Sequence, residues 1–187
     1  MPLHFEPTEL DEVLLCVPEV FCDARGFFVE CYHAAKYVNG GVQTVFVQDN
    51  RSRSSKGVLR GLHYQIHKPQ AKLVTCIQGE IYDVAVDIRK GSPTFGKWSA
   101  AMLTESNHHQ LFIPGGFAHG FCVVSESAEI MYKCSEFYDP RDDRGIRWND
   151  PDLRINWPTT TPVLSAKDAA LPFLKEAELP LYRHKRA

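Results

Sequence analysis

Arg60 and His63 stand three residues apart inside an otherwise apolar run, Gly57-Val-Leu-Arg-Gly-Leu-His-Tyr-Gln65. A regular strand would send them to opposite faces, because side chains alternate with period two. Gly61 between them is a natural place for a bulge that would bring both toward one cavity. Lys72 follows the loop Ile66-His-Lys-Pro-Gln70, and the turn Pro114-x-Gly116-x-x-His119 delivers a second histidine. Lys167-Asp168 is an acid–base pair in an otherwise apolar tail. Residues of these types suit the removal of a proton next to a carbonyl. Histidine is the usual base of near-neutral pKa, and a carboxylate on the imidazole would fix its tautomer. Lys72 could supply the cation at the enolate oxygen. Inverting a stereocentre also needs an acid on the opposite face, for which a buried tyrosine such as Tyr132 is chemically suited. Each of these residues also has a purely structural reading: a solvated arginine, a satisfied edge-strand histidine, a core tyrosine with a bonded hydroxyl.

Two histidines on neighbouring strands could instead ligate a metal. The Pro-x-Gly-x-x-His turn resembles the second half-motif of the cupin barrels, whose first half-motif has His-x-His followed by a glutamate. The corresponding stretch here reads His63-Tyr64-Gln65, and His67 falls on a loop with Pro69. That set is too small for a closed or facial site, so no metal is expected. His108-His109 read as a solvated polar turn.

The elements that must position these side chains are mostly strands. The patterns predict strands over Leu14–Pro18, Val42–Val47, Gly57–Gln65, Ala71–Gln78, Glu80–Ile88, Trp98–Leu103, Gln110–Ile113, Cys122–Val124 and Glu129–Tyr138. Val20–Tyr32 reads as two aromatic-rich runs around a turn at Arg25-Gly26. Glu80–Ile88 alternates cleanly, with Tyr82, Val84, Val86 and Ile88 on one face and Asp83 and Asp87 on the other. Glu129–Tyr138 would place Ile130, Tyr132, Cys134 and Tyr138 on one face. Arg51–Lys56 reads as a charged loop, and Pro114–Phe121 as a turn. Short helical turns are expected only near the C-terminus, at Ser165–Leu171, with Ser165 as cap, and at Leu174–Glu178. Many short strands separated by Gly, Pro and Asn turns argue an all-β sandwich or barrel, a jelly roll able to hold a ligand between its sheets.

At 187 residues, 44% hydrophobic and 24% charged, the chain reads as one globular domain over 1–187. A net charge of −2 offers no basic field for nucleic acid or a membrane surface. The N-terminus lacks a basic region followed by an apolar core, and no run approaches a transmembrane length, so a cytoplasmic location is expected. The six cysteines form no C-x-x-C pair and read as reduced packing residues.

A resemblance now becomes specific. Asp23-x-Arg25-Gly-Phe-Phe, Val47-Gln-Asp-Asn50, Gly57-Val-Leu-Arg-Gly-Leu-His-Tyr-Gln65, Lys72-Leu-Val and Asp83-Val-Ala-Val-Asp-Ile-Arg89 resemble the dTDP-4-dehydrorhamnose 3,5-epimerase family. So do Gly91-Ser-Pro-Thr-Phe-Gly96, Ile113-Pro-x-Gly-Phe-Ala-His-Gly-Phe121, Trp148-Asn-Asp-Pro151 and Leu164-Ser-x-Lys-Asp168, in order from about Val20 to about Leu174. The resemblance implies an all-β cupin-type jelly roll working as a homodimer, without metal or redox cofactor, on a dTDP-sugar. It implies inversion of C3 and C5 of dTDP-4-dehydro-6-deoxy-D-glucose. His63 matches the proton-abstracting base, Asp168 its carboxylate partner, Tyr132 the proton donor and Lys72 the enolate-stabilising residue. Arg25, Glu30, Gln48, Asp49, Asn50, Arg60, His119, Asp143 and Lys167 fall on substrate-holding positions. Tyr138 and Phe27 would contact the thymine ring. Arg25 and Glu30 would serve the neighbouring subunit's pocket. Three other readings are distinguishable by experiment: an epimerase acting at only one carbon of such a sugar, a metal-dependent cupin using His63 and His119, and a catalytically inert sugar-nucleotide binding module.

Overall fold

The computed structural model describes residues 1–182. Two antiparallel sheets face one another in a jelly-roll sandwich. One has the order β1-β2-β10-β7-β12-β5, built from β1 (Leu3–Pro7), β2 (Leu14–Pro18), β5 (Gln48–Ser55), β7 (Lys72–Gln78), β10 (Gln110–Ile113) and β12 (Ser127–Cys134). The other has the order β13-β6-β11-β8-β9, built from β6 (Leu59–Gln65), β8 (Glu80–Asp87), β9 (Trp98–Thr104), β11 (Phe117–Val123) and β13 (Asp143–Gly145). Strands β3 (Val20–Asp23) and β4 (Gly26–Val29) form a separate two-stranded ribbon. Two short helices complete the described residues, α1 (Ala34–Asn39) and α2 (Ala166–Ala169).

Between the sheets, Ile81 and Ala85 of β8, Phe117 and Phe121 of β11, Val74 of β7 and Ile130 of β12 pack into one core. The period-two reading of β8 holds: Val84 and Val86 point the other way, into a second apolar layer with Leu62, Ile146, Leu153 and Leu174. That outer layer is covered by the C-terminal part of the chain, so both faces of β8 are buried and its face with Asp83 and Asp87 is buried too. A third cluster, Tyr37, Val42, Leu73 and Phe112 among its members, seats α1 against the outside of the first sheet.

The structure departs from the sequence expectations at several elements. Arg51–Lys56 is a strand over most of its length, because β5 is an edge strand. Its arginines lie outward, where Arg51 pairs with Glu129, and charge on an edge is what discourages further strand addition. Residues 42–47, read as a strand, carry no strand structure, and Val45 and Val47 are exposed. β11 begins at Phe117, so only the first residues of Pro114–Phe121 turn. β12 ends at Cys134, one step before Ser135 and Ala71 close the ladder through the Ser135 amide and hydroxyl, so Tyr138 is not one of its residues. β1 and α1 were not anticipated, and α1 places a helix near the N-terminus rather than the C-terminus.

Candidate active site

His63 reaches its position through an irregularity in β6. Between the partners His119↔His63 and Phe121↔Arg60, β6 spends three steps while β11 spends two, which makes the stretch around Gly61 a bulge. Only glycine fits there: Gly61 has φ +130°, and a Cβ on it would lie 2.5 Å from the Gly120 Cα. The extra residue cancels the expected alternation, and Arg60 and His63 line one cavity of about 360 Å³ with Val163, Ser165, Lys167 and Asp168.

The imidazole of His63 is held by Asp168. Its Nε2 lies 2.6 Å from Asp168 Oδ1, and the Ser165 hydroxyl donates to Asp168 Oδ2 at 2.8 Å. The same hydroxyl accepts the Asp168 amide at 3.0 Å, capping α2 as its sequence position suggested. Asp168 is buried, which pushes its carboxyl up, but the His63 bond and charge, Ser165 and Lys167 bring it below its ordinary value. With Nε2 engaged, the free ring nitrogen of His63 is Nδ1.

The opposite sheet contributes Lys72, at the start of β7, and Tyr132, on β12. Burial lowers the pKa of Lys72, opposed by the charges of Cys134, Asp83 and Asp143. Burial likewise raises the phenol of Tyr132, so it keeps its proton at neutral pH. Tyr132 sits opposite Asn50 in the β12–β5 register. Gln48 Nε2 donates to Asn50 Oδ1 at 3.0 Å, and the Tyr138 amide donates to Gln48 Oε1 at 3.0 Å. At the rim, Asp143 accepts from the Tyr138 hydroxyl at 2.8 Å and from the Lys167 ammonium. Arg60 stays exposed and donates through Nε to Ser54 Oγ at 3.1 Å.

His119 is buried beside His63 on β11, and its Nε2 lies 2.7 Å from Asp83 Oδ1. Burial lowers its pKa, and Lys72 and His63 add to the depression against the pull of Asp83. The two histidines are therefore strand neighbours, as a metal site would need, but each commits Nε2 to its own carboxylate. Among the described residues no three His, Cys, Asp or Glu side chains gather in a metal-ligating group.

Four sequence-selected residues lie apart from this cluster. Asp49 alternates away from Gln48 and Asn50 and pairs with Lys133 at 3.0 Å. Arg25 is exposed on the β3–β4 ribbon and bonded to Asp23, and Glu30, just beyond the ribbon, pairs with Lys36. Phe27 lies on the same ribbon, against the His108 ring at 4.6 Å. Sequence reasoning placed Asp83 on the polar face of its strand without giving it a role, and the signal available was an acid set between Ile81-Tyr82 and Val84-Ala85-Val86.

Comparison with known proteins follows from this geometry. A family described as dTDP-4-dehydrorhamnose 3,5-epimerase matches residues 7–176. The dTDP-4-dehydrorhamnose 3,5-epimerase of Shigella flexneri is 53% identical over 163 residues, 86% of this chain and 90% of the relative. The protein of the same name from Neisseria gonorrhoeae is 52% identical over 87% of this chain, which spans only 50% of that relative's length. Among solved structures, the dTDP-6-deoxy-D-glucose-3,5-epimerase of Legionella pneumophila Philadelphia 1, in complex with dTDP-4-keto-L-rhamnose, superposes with a TM-score of 0.94 at 46% identity. That match covers 97% of this chain and 100% of the other.

Proposed function

This chain belongs to the dTDP-4-dehydrorhamnose 3,5-epimerase family, and on that premise we propose that it inverts C3 and C5 of dTDP-4-dehydro-6-deoxy-D-glucose, giving dTDP-4-dehydro-L-rhamnose. The observation that carries the reading is the opposition of His63 on one sheet, held by Asp168 of α2, to Tyr132 and Lys72 on the other. A sugar held between the sheets meets a base on one face and an acid on the other. His63 Nδ1 takes the proton α to the C4 carbonyl, and the electron pair moves to the C4 oxygen as an enolate. The Lys72 ammonium stabilises that charge. Tyr132 then returns a proton from the opposite side, which inverts the carbon. Each inversion leaves His63 protonated and Tyr132 ionised, so both exchange protons with solvent before the second centre reacts. Arg60, His119, Gln48, Asn50, Asp143, Lys167 and Tyr138 hold the sugar nucleotide. Arg25 and Glu30 act in the neighbouring subunit of a homodimer.

The test is isotope exchange in heavy water. The purified protein is incubated with dTDP-4-dehydro-6-deoxyglucose without reductase, and incorporated deuterium is located by NMR. Deuterium at both C3 and C5, with reduction to dTDP-L-rhamnose by a coupled reductase, is the expected result. Deuterium at one carbon alone would reassign the protein as a single-centre epimerase. A folded protein that binds dTDP and exchanges neither proton would overturn the reading.

A further inference from the structure

We propose that Asp83 is a positioning residue of this reaction, fixing His119 as the Nε2–H tautomer. The inference rests on the epimerase reading above. Asp83 lies in mid-sheet on β8, between Phe121 of β11 and Ala101 of β9, and is fully buried. A carboxylate in that position is costly unless it is paired. The other buried aspartates, Asp87, Asp142, Asp150 and Asp168, each use both oxygens in hydrogen bonds. Asp83 uses one: Oδ1 takes His119, while Oδ2 is buried without a hydrogen-bond partner among the described residues.

The consequence concerns what His119 can recognise. A neutral ring that donates Nε2–H to Asp83 offers only the lone pair of Nδ1 to a ligand. That nitrogen accepts from a sugar hydroxyl and repels a phosphate oxygen. His119 is therefore assigned to the hexose.

The test reads the tautomer directly, by 15N NMR of the full chain at neutral pH, the His119 signal being assigned by its loss in His119→Gln. In the wild type Nε2 is expected to be protonated and Nδ1 bare. Asp83→Asn, whose amide can donate to Nε2, is expected to move the proton to Nδ1. Because Nδ1 would then donate to the hexose instead of accepting from it, kcat/KM should fall by about 10- to 100-fold. A wild-type ring protonated at Nδ1, or at both nitrogens, would overturn the proposal even if Asp83→Asn fails to fold. So would a folded Asp83→Asn enzyme with wild-type kcat/KM. Deuterium incorporation by the wild type alongside either result would leave the epimerase reading standing while this one falls.

Discussion

A histidine becomes a directed base only when its other nitrogen is fixed, and Asp168 is placed to do this to His63. One oxygen holds Nε2 at 2.6 Å, the other accepts from Ser165 at 2.8 Å, and so the carboxylate cannot turn away. Its pKa is held below the ordinary value despite burial, by the His63 bond and charge, Ser165 and Lys167. The sign follows for a depressed carboxylate. Its contribution to stability is fully present above the unfolded value of about 3.9 and is lost as pH falls through the lower native value. At neutral pH it is charged throughout. Asp168→Asn keeps the shape but can donate to Nε2, which would leave Nδ1 protonated and unable to act as base. The expected outcome is a fall in kcat of roughly 10³- to 10⁴-fold, with dTDP affinity unchanged within about 2-fold. Steady-state kinetics beside dTDP titration calorimetry checks it. Loss of dTDP binding along with kcat would show that Asp168 holds the pocket rather than the proton chemistry.

At the level of the element, the bulge in β6 is what makes a site of Arg60 and His63. Without the extra residue at Gly61, the strand would present one of them to the sandwich interior and the other to its outer layer. Gly61→Ala combines a disfavoured φ of +130° with a Cβ 2.5 Å from backbone at Gly120. Relief requires β6 and β11 to move apart. Urea unfolding should register a loss of at least about 2 kcal/mol, and activity should fall further than stability explains. An unchanged midpoint and kcat would mean that the bulge is not needed. This irregularity was legible in the sequence, because a glycine set between two polar side chains of mismatched spacing points to a bulge. The alternation of β8, the cap at Ser165 and the limits of β2 were legible for similar local reasons. What misled were segments whose structure is decided by neighbours. Arg51–Ser55 is polar because it lies on an edge, and only its ladder with β12 makes it a strand. The role of Asp83 depends on His119, thirty-six residues away in sequence, and no local pattern carries that pairing.

For the whole molecule, the open question is the ribbon β3–β4. It joins neither large sheet, and it carries Phe21, Phe27 and Phe28 exposed at 43, 62 and 60%. Isolated two-stranded ribbons are marginal in water, and exposed aromatics in one patch favour association. Arg25 on this ribbon reaches no group of the candidate site in its own chain, only Asp23 beside it. The proposed homodimer accounts for both facts if the ribbon of one subunit completes the nucleotide pocket of the other, as a two-fold interface would arrange it. The arrangement makes a prediction that simple dimerisation does not. Arg25→Ala and His63→Asn should each weaken or abolish turnover as homodimers. Co-expressed, they form mixed dimers in which one pocket has both its own His63 and the neighbour's Arg25, while the other pocket has neither. With random pairing half the dimers are mixed and half their sites are intact, so activity should recover to about a quarter of wild type. Assay of the unfractionated mixture with the coupled reductase would measure it, and mixed dimers isolated through two different tags should show about half of wild type. Recovery no greater than the sum of the two homodimers would place Arg25 outside the neighbour's pocket, and the ribbon would then serve assembly alone.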